Sequence, residues 1–70
     1  DIAEGQGMSG LVRYQWIAFN AQIAENVRVR AINTAWIKGK RVYLLTCVID
    51  LSSAVKVEPL FHKIIASFRL

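Results

Sequence analysis

The ten residues Arg41–Asp50, RVYLLTCVID, decide the fold that this sequence predicts. A β-strand that is covered on one face alternates apolar and polar side chains, because successive side chains point to opposite faces. Here apolar side chains fall on both faces and are interrupted only by Thr46. Such a strand is normally covered on both sides. The fold therefore needs two covering layers.

The chain is short and apolar. It has 70 residues, of which 54% are hydrophobic, and its mean hydropathy of +0.33 argues against disorder. A single core of this size supplies only about 3–5 kcal/mol of stability, so we expect the fold to depend on association with something outside the chain. No apolar run approaches the ~18 residues of a membrane span. The sequence therefore predicts no transmembrane segment.

Two further predicted strands precede Arg41–Asp50 in the sequence. Residues 12–24, VRYQWIAFNAQIA, are rich in aromatic and β-branched side chains, and residues 27–37, VRVRAINTAWI, alternate visibly. Gly39 suits the first central position of a two-residue type II′ turn, where φ is positive. The pair Glu25 and Asn26 marks the earlier turn.

A helical interpretation of residues 11–23 competes with the first of these strands. An acceptable helical stripe is formed by Val12, Trp16, Phe19 and Ile23. Ser9 is a residue type that caps helices. The aromatic and β-branched content favours the strand.

The two ends of the chain differ in character. Residues 1–10 hold three of the four glycines without a periodic pattern, which predicts a flexible lead-in. The C-terminal stretch EPLFHKIIASFRL predicts a helix with Glu58 and Pro59 in its first turn. Its apolar stripe, at spacings of three and four, consists of Leu60, Phe61, Ile64, Ile65 and Phe68.

The predicted fold class is α+β, with a three-stranded antiparallel sheet followed by a C-terminal helix. Residues 11–70 then form a single domain or a partial domain. One helix covers one sheet face, so the remaining face requires either the other half of a larger α/β/α sandwich or oligomerisation.

The turn positions predict which residues share a face. The register pairs Trp36 with Tyr43 and Ile17 with Thr34. The helix then covers Ile17, Phe19, Ala21, Ile32, Trp36, Tyr43, Leu45, Cys47 and Ile49. The other face collects Val12, Tyr14, Trp16, Ala18, Val29, Ala31, Ala35, Ile37, Val42, Leu44 and Val48. Such an apolar surface is either an interface or part of a larger core.

We expect this second face to bind a partner chain or a second copy of the chain. The predicted interface residues are Tyr14, Trp16, Ile37, Val42 and Leu44. Among them Trp16 is the expected anchor, because buried tryptophans dominate interface energetics.

Few residues point to catalysis. His62 is the only histidine, and Cys47 lies in the middle of an apolar strand. The five carboxylates are scattered over different elements, without the spacing of an acid and base pair. The sequence therefore predicts no metal site, no cofactor and no enzymatic activity, with His62 facing solvent and Cys47 in the core.

A small basic nucleic-acid-binding module is the alternative function. The net charge is +4, and the candidate contact residues are Arg28, Arg30, Lys38, Lys40 and Arg41. A nucleic-acid surface brings such residues together with exposed aromatics. In the predicted register the two arginines of the second strand lie about 25–30 Å from the hairpin tip, at ~3.3 Å per residue. Because the basic residues form two separate groups, the sequence favours an interaction domain over a nucleic-acid-binding module.

The closing strand and helix also resemble a known family. Its domains end with a strand reading like "yxlT" and a helix whose last turn reads like "I-x-x-S-F-R". The matching residues are Tyr43, Leu45, Thr46, Phe61, Ile64, Ile65, Ser67, Phe68 and Arg69. On these residues the chain resembles the C-terminal half of the PsbP-like and DcrB-like superfamily.

The resemblance implies an antiparallel sheet between helical layers. It implies that the N-terminal half of this fold is missing, is supplied by another chain or is replaced by self-association. It implies an extracytoplasmic location, periplasmic or lumenal. The segments that bind manganese, calcium or chloride in the photosynthetic members of the superfamily have no match in this sequence, so no such site is carried over.

Overall fold

The structure, a computed structural model, describes residues 2–70 and has the α+β fold predicted, with an antiparallel sheet and a C-terminal helix. The sheet has four strands in sequence order: β1 (Ala3–Ser9), β2 (Val12–Ala24), β3 (Val27–Lys38) and β4 (Arg41–Asp50). A short 3-10 helix, Leu51–Ser53, leads into α1 (Ala54–Ser67). The prediction of three strands was wrong, because β1 was not foreseen.

Strand β1 occupies the glycine-rich segment that was predicted to be a flexible lead-in. Gly5 pairs with Trp16 of β2, and Gly7 pairs with Tyr14. A Cβ atom at Gly5 would lie 2.7 Å from Trp16 Nε1, and one at Gly7 would overlap the phenol oxygen of Tyr14. A glycine inside a strand often marks such a close approach. The two glycines therefore make room for aromatic rings that lie across β1.

The hairpin between β3 and β4 forms as predicted. Gly39 has a φ of +62°, and Lys40 is not among the residues with positive φ, as a type II′ turn requires. Trp36 pairs with Tyr43 and Thr34 pairs with Leu45.

The hairpin between β2 and β3 differs from the prediction by one residue. Asn26, the second turn residue, takes the positive φ of +63°, and a bulge lies between Gln22 and Ala24. Trp16 rather than Ile17 consequently pairs with Thr34. A slip of one residue moves every side chain of a strand to the other face. The predicted faces of β2 were therefore exchanged.

The hydrophobic core lies between α1 and the face of the sheet that α1 covers. Its buried members are Tyr14, Ala18, Ile32, Trp36, Ile49, Ala54, Phe61 and Ile65. Phe68 stacks on Trp36, with ring centroids 5.1 Å apart and an angle of 9° between the ring planes. The core is thus centred on Trp36, which is 1% exposed.

A buried hydroxyl joins three elements at one end of this core. Trp36 Nε1 donates a hydrogen bond of 2.8 Å to Ser9 Oγ, and Ser9 Oγ donates one of 2.7 Å to the carbonyl oxygen of Ile65. Ser9 is 1% exposed. The last residue of β1 therefore ties β3 to the C-terminal part of α1.

Helix α1 begins earlier than predicted, which places Pro59 inside the helix instead of in its first turn. The side facing the sheet is correspondingly different from the predicted stripe. Phe61 and Ile65 are buried as expected, whereas Leu60 and Ile64 are 56% and 52% exposed.

Replacing Pro59 by alanine is expected to stabilise the protein by about 1–2 kcal/mol, because proline lacks the N–H that would bond to the carbonyl of Val55. Part of the gain is offset by the greater freedom of the unfolded chain. The measurement is the midpoint of urea unfolding, followed by tryptophan fluorescence. Val55→Ala is the control, because Val55 is 88% exposed and its replacement alters no backbone hydrogen bond. A midpoint for P59A at or below that of the control would contradict the expectation.

Candidate interaction surface

The sheet face turned away from α1, called the open face below, carries exposed apolar side chains. They are Met8, Ile17, Ile37, Val42, Leu44 and Val48, each between 38% and 76% exposed. They share a face because the register pairs Ile37 with Val42, and because alternate residues of one strand point the same way. Three of the predicted interface residues, Ile37, Val42 and Leu44, lie on this face.

The other two predicted interface residues lie under the helix. Tyr14 is 8% exposed and belongs to the core. Trp16 is half-buried, with its ring centroid 4.6 Å from that of His62 on α1. The expected placement of Tyr14 and Trp16 on the second face was wrong, because the bulge in β2 reverses their side. Ile17 and Phe19 take the corresponding places on the open face.

The open face contains a shallow depression of about 570 Å³. Its lining includes Glu4, Gln15, Ile17, Asn33, Ala35, Leu44 and Thr46. Two of these lining residues are joined to each other, because Thr46 Oγ1 donates a hydrogen bond of 2.9 Å to Asn33 Oδ1. The depression thus offers a neutral amide and hydroxyl pair next to apolar side chains such as Leu44.

Strand β4 forms one edge of the sheet and β1 forms the other. The two-residue turn makes Lys38 and Arg41 a hydrogen-bonded pair, so alternate residues of β4 from Arg41 onward bond to β3. The intervening residues, Val42, Leu44, Thr46 and Val48, direct their N–H and C=O groups outward. Within residues 2–70 the one backbone hydrogen bond outside the regular elements joins Phe68 to Ile65. No other described element therefore forms backbone hydrogen bonds with this edge.

The five basic residues of the nucleic-acid alternative lie at opposite ends of the sheet. Lys38, Lys40 and Arg41 are exposed at the β3–β4 turn, whereas Arg28 lies beside the β2–β3 turn. Arg30 Nε donates a hydrogen bond of 3.0 Å to a carboxylate oxygen on α1. The Arg30 side chain is therefore largely buried against α1, away from the basic residues of the β3–β4 turn.

His62 and Cys47 occupy different settings. His62 was expected to face solvent, but it is half-buried against Trp16, with Nε2 3.4 Å from Glu58 Oε2. Cys47 is half-buried on the helix side of β4, and burial raises the pKa of its thiol. Among the described residues, no group of three potential metal ligands comes together. Within the same residues, α1 falls short of the length and apolarity needed to cross a membrane.

Comparison with known proteins gives no match. No protein-family model matches the chain, and no significant match was found among curated proteins or solved structures.

Proposed function

We propose that this chain is a non-enzymatic interaction domain, which binds another polypeptide chain through the open face of its sheet. The observation that carries the proposal is the exposure of apolar side chains on the β3–β4 half of that face. Ile37, Val42 and Val48 are 58%, 60% and 59% exposed, and Leu44 is 76% exposed. Contiguous apolar surface of this kind marks interaction sites on folded proteins.

The distribution of polarity supports contact with a polypeptide. The β1–β2 half of the open face is more polar, because Glu4, Gln6, Arg13 and Gln15 accompany the apolar Met8 and Ile17 there. An apolar zone bordered by polar groups is the usual composition of a protein interface. Burying one large aliphatic side chain contributes about 1.5–3 kcal/mol, so a few residues of this zone suffice for association.

The resemblance to PsbP-like and DcrB-like domains supports the same proposal. In that superfamily the sheet lies between helical layers, whereas residues 2–70 contain a single α-helix on one face. The second layer would then come from a partner chain or a second copy, in an extracytoplasmic compartment. The nucleic-acid alternative has less support, because its basic residues do not converge on one surface.

The proposal is tested with the chain alone, using a second copy as the polypeptide. We expect the mass in solution at micromolar concentration, measured by sedimentation equilibrium, to exceed the 7.9 kDa of one chain. The Ile37→Lys variant is expected to weaken this association about 10- to 100-fold, because it loses the burial of one aliphatic side chain.

The matched control for this test is Leu11→Lys. Leu11 is 95% exposed at the β1–β2 turn, at the same end of the sheet but outside the open face. Its replacement introduces the same charge and is expected to leave the association unchanged. A wild-type monomer with a cooperative thermal transition would overturn the proposal, and so would equal association of I37K and L11K.

A further inference from the structure

The edge strand β4 lacks the features that normally protect a sheet edge. Native edges carry charged side chains, prolines or bulges, which prevent another strand from pairing with them. Between Arg41 and Asp50 the strand has no charged residue and no proline. Its ladder with β3 runs without a bulge. The opposite edge, β1, is different, because it presents Glu4, Gln6 and two glycines.

The apolar surface continues from this edge onto α1. Glu58 and His62 lie on one flank of the helix, where they contact Arg30 of β3 and Trp16 of β2. Strand β4 lies beyond β3 on the side away from β2, so the opposite flank of the helix is the one nearer to the β4 edge. That flank carries Val57, Leu60 and Ile64, which are 37%, 56% and 52% exposed and are spaced three and four residues apart.

The charges at the two ends of β4 are opposite. Lys40 and Arg41 stand at its start, and Asp50 stands at its end. In an antiparallel pair of identical strands, the start of each strand lies beside the end of the other. The strand is therefore complementary in charge to a second copy of itself.

We propose that β4 pairs with β4 of a second copy about a twofold axis, so that the two sheets join into one continuous antiparallel sheet. The outward-facing residues must pair with one another. The register that also brings Lys40 beside Asp50 of the second copy places Leu45 on the axis. It pairs Val42 with Val48 of the second copy, and Leu44 with Thr46 of the second copy.

This arrangement satisfies the backbone groups of the edge. Each outward pair exchanges two hydrogen bonds, which gives about eight between the chains. The exposed flanks of the two helices, with Val57, Leu60 and Ile64, lie on the same side of the joined sheet. The open faces also become continuous, so edge pairing leaves the surface of the proposed function free and does not depend on it.

A charge-reversal cycle tests the pairing. Lys40→Glu places a glutamate beside Asp50 of the other copy, and the twofold symmetry repeats this repulsive pair once more in each dimer. We therefore expect the variant to raise the dimer Kd about 10- to 100-fold in low salt. Asp50→Lys is expected to do the same. Sedimentation equilibrium measures the Kd. The double variant K40E/D50K restores the opposite charges, and its Kd is expected to return to within about threefold of the wild-type value.

Two controls separate pairing from local effects. Lys63→Glu makes the same charge change on the exposed surface of α1 and is expected to leave the Kd unchanged. The Ser52 hydroxyl donates a hydrogen bond to Asp50, so Ser52→Ala reports what the loss of that contact does by itself. Failure of the double variant to recover association, while both single variants keep the wild-type far-UV circular dichroism spectrum, would overturn the proposed register.

A disulfide provides an independent test of the axis. Leu45 and its counterpart in the second copy form a non-hydrogen-bonded pair, with Cα atoms about 4.5 Å apart, which a disulfide can span. Leu45→Cys in a Cys47→Ser background is expected to oxidise to a covalent dimer, whereas Val55→Cys in the same background is expected to stay monomeric on a non-reducing gel. Absence of the L45C dimer in a protein that still associates would overturn the inference.

The outcomes also distinguish the two surfaces. If I37K abolishes association while the charge variants have no effect, the open face mediates self-association and the edge inference fails. If the charge cycle and the disulfide behave as expected while I37K associates like wild type, the edge inference holds and the proposed function of the open face fails. A wild-type chain that is still a monomer at about 100 µM would overturn the edge inference as well.

Discussion

The Gly7→Val variant is expected to lose most of its native stability, by about 3 kcal/mol or more, because its side chain would occupy the space of the Tyr14 ring. A core of this size supplies only about 3–5 kcal/mol in total. Tyr14 is 8% exposed, and its ring lies 5.9 Å from that of Trp36. The ring therefore cannot move aside without opening the core. Urea unfolding followed by near-UV circular dichroism measures the loss.

The control for this variant is Gln6→Val in the same strand. Gln6 is exposed and points to the open face, so a β-branched residue there is expected to be neutral or slightly stabilising. Combining G7V with Tyr14→Ala is expected to cost less than the sum of the two changes, with a coupling of about 0.5–3 kcal/mol. Equal unfolding midpoints for G7V and Q6V would mean that β1 does not pack against Tyr14.

Ser9→Ala is expected to destabilise the protein by about 2–4 kcal/mol. The change leaves the Trp36 indole N–H and the Ile65 carbonyl without their shared partner, and each buried unsatisfied group costs about 1–3 kcal/mol. Urea unfolding measures the effect. Faster exchange of the Trp36 indole proton, followed by NMR, separates loss of the hydrogen bond from general loosening.

A chemically matched control exists on the helix surface. Ser67 Oγ also donates a hydrogen bond of 2.7 Å to a backbone carbonyl, that of Ile64, but it is exposed. Ser67→Ala is expected to cost less than about 0.5 kcal/mol, because water replaces an exposed hydroxyl. If S9A and S67A were equally stable, the buried Ser9 hydroxyl would have no role in holding β1, β3 and α1 together.

Sequence analysis predicted the β3–β4 hairpin well, because the turn of this hairpin determines how its two strands pair. Gly39 at the first turn position selects one hairpin geometry, and this fixes the pairing of Trp36 with Tyr43 and the faces of β3 and β4. Ile37, Val42 and Leu44 were consequently placed on the correct face. The faces of β2 were not predictable in the same way. Both carry apolar residues, so the hydrophobic pattern does not reveal the bulge near Gln22.

Strand β1 was missed because glycines in a short segment usually indicate a loop. A usable signal was nevertheless present. If Gly10 and Leu11 are taken as a two-residue hairpin turn, counting residues outward from that turn pairs Gly7 with Tyr14 and Gly5 with Trp16. Small residues directly opposite large aromatic residues favour a packed strand pair. In a flexible segment no such correspondence is expected.

The glycines of β1 also have a consequence for the order in which the protein opens and closes. Gly5 and Gly7 bring almost no apolar surface of their own, so apart from its backbone ladder with β2 the strand is held by rings that belong to β2 and by the hydroxyl of Ser9. The strand can bind only after Tyr14, Trp16 and Trp36 are in place. We therefore expect β1 to open before the rest of the sheet in local unfolding. Its departure uncouples the end of α1 from the sheet and turns β2 into a second unprotected edge.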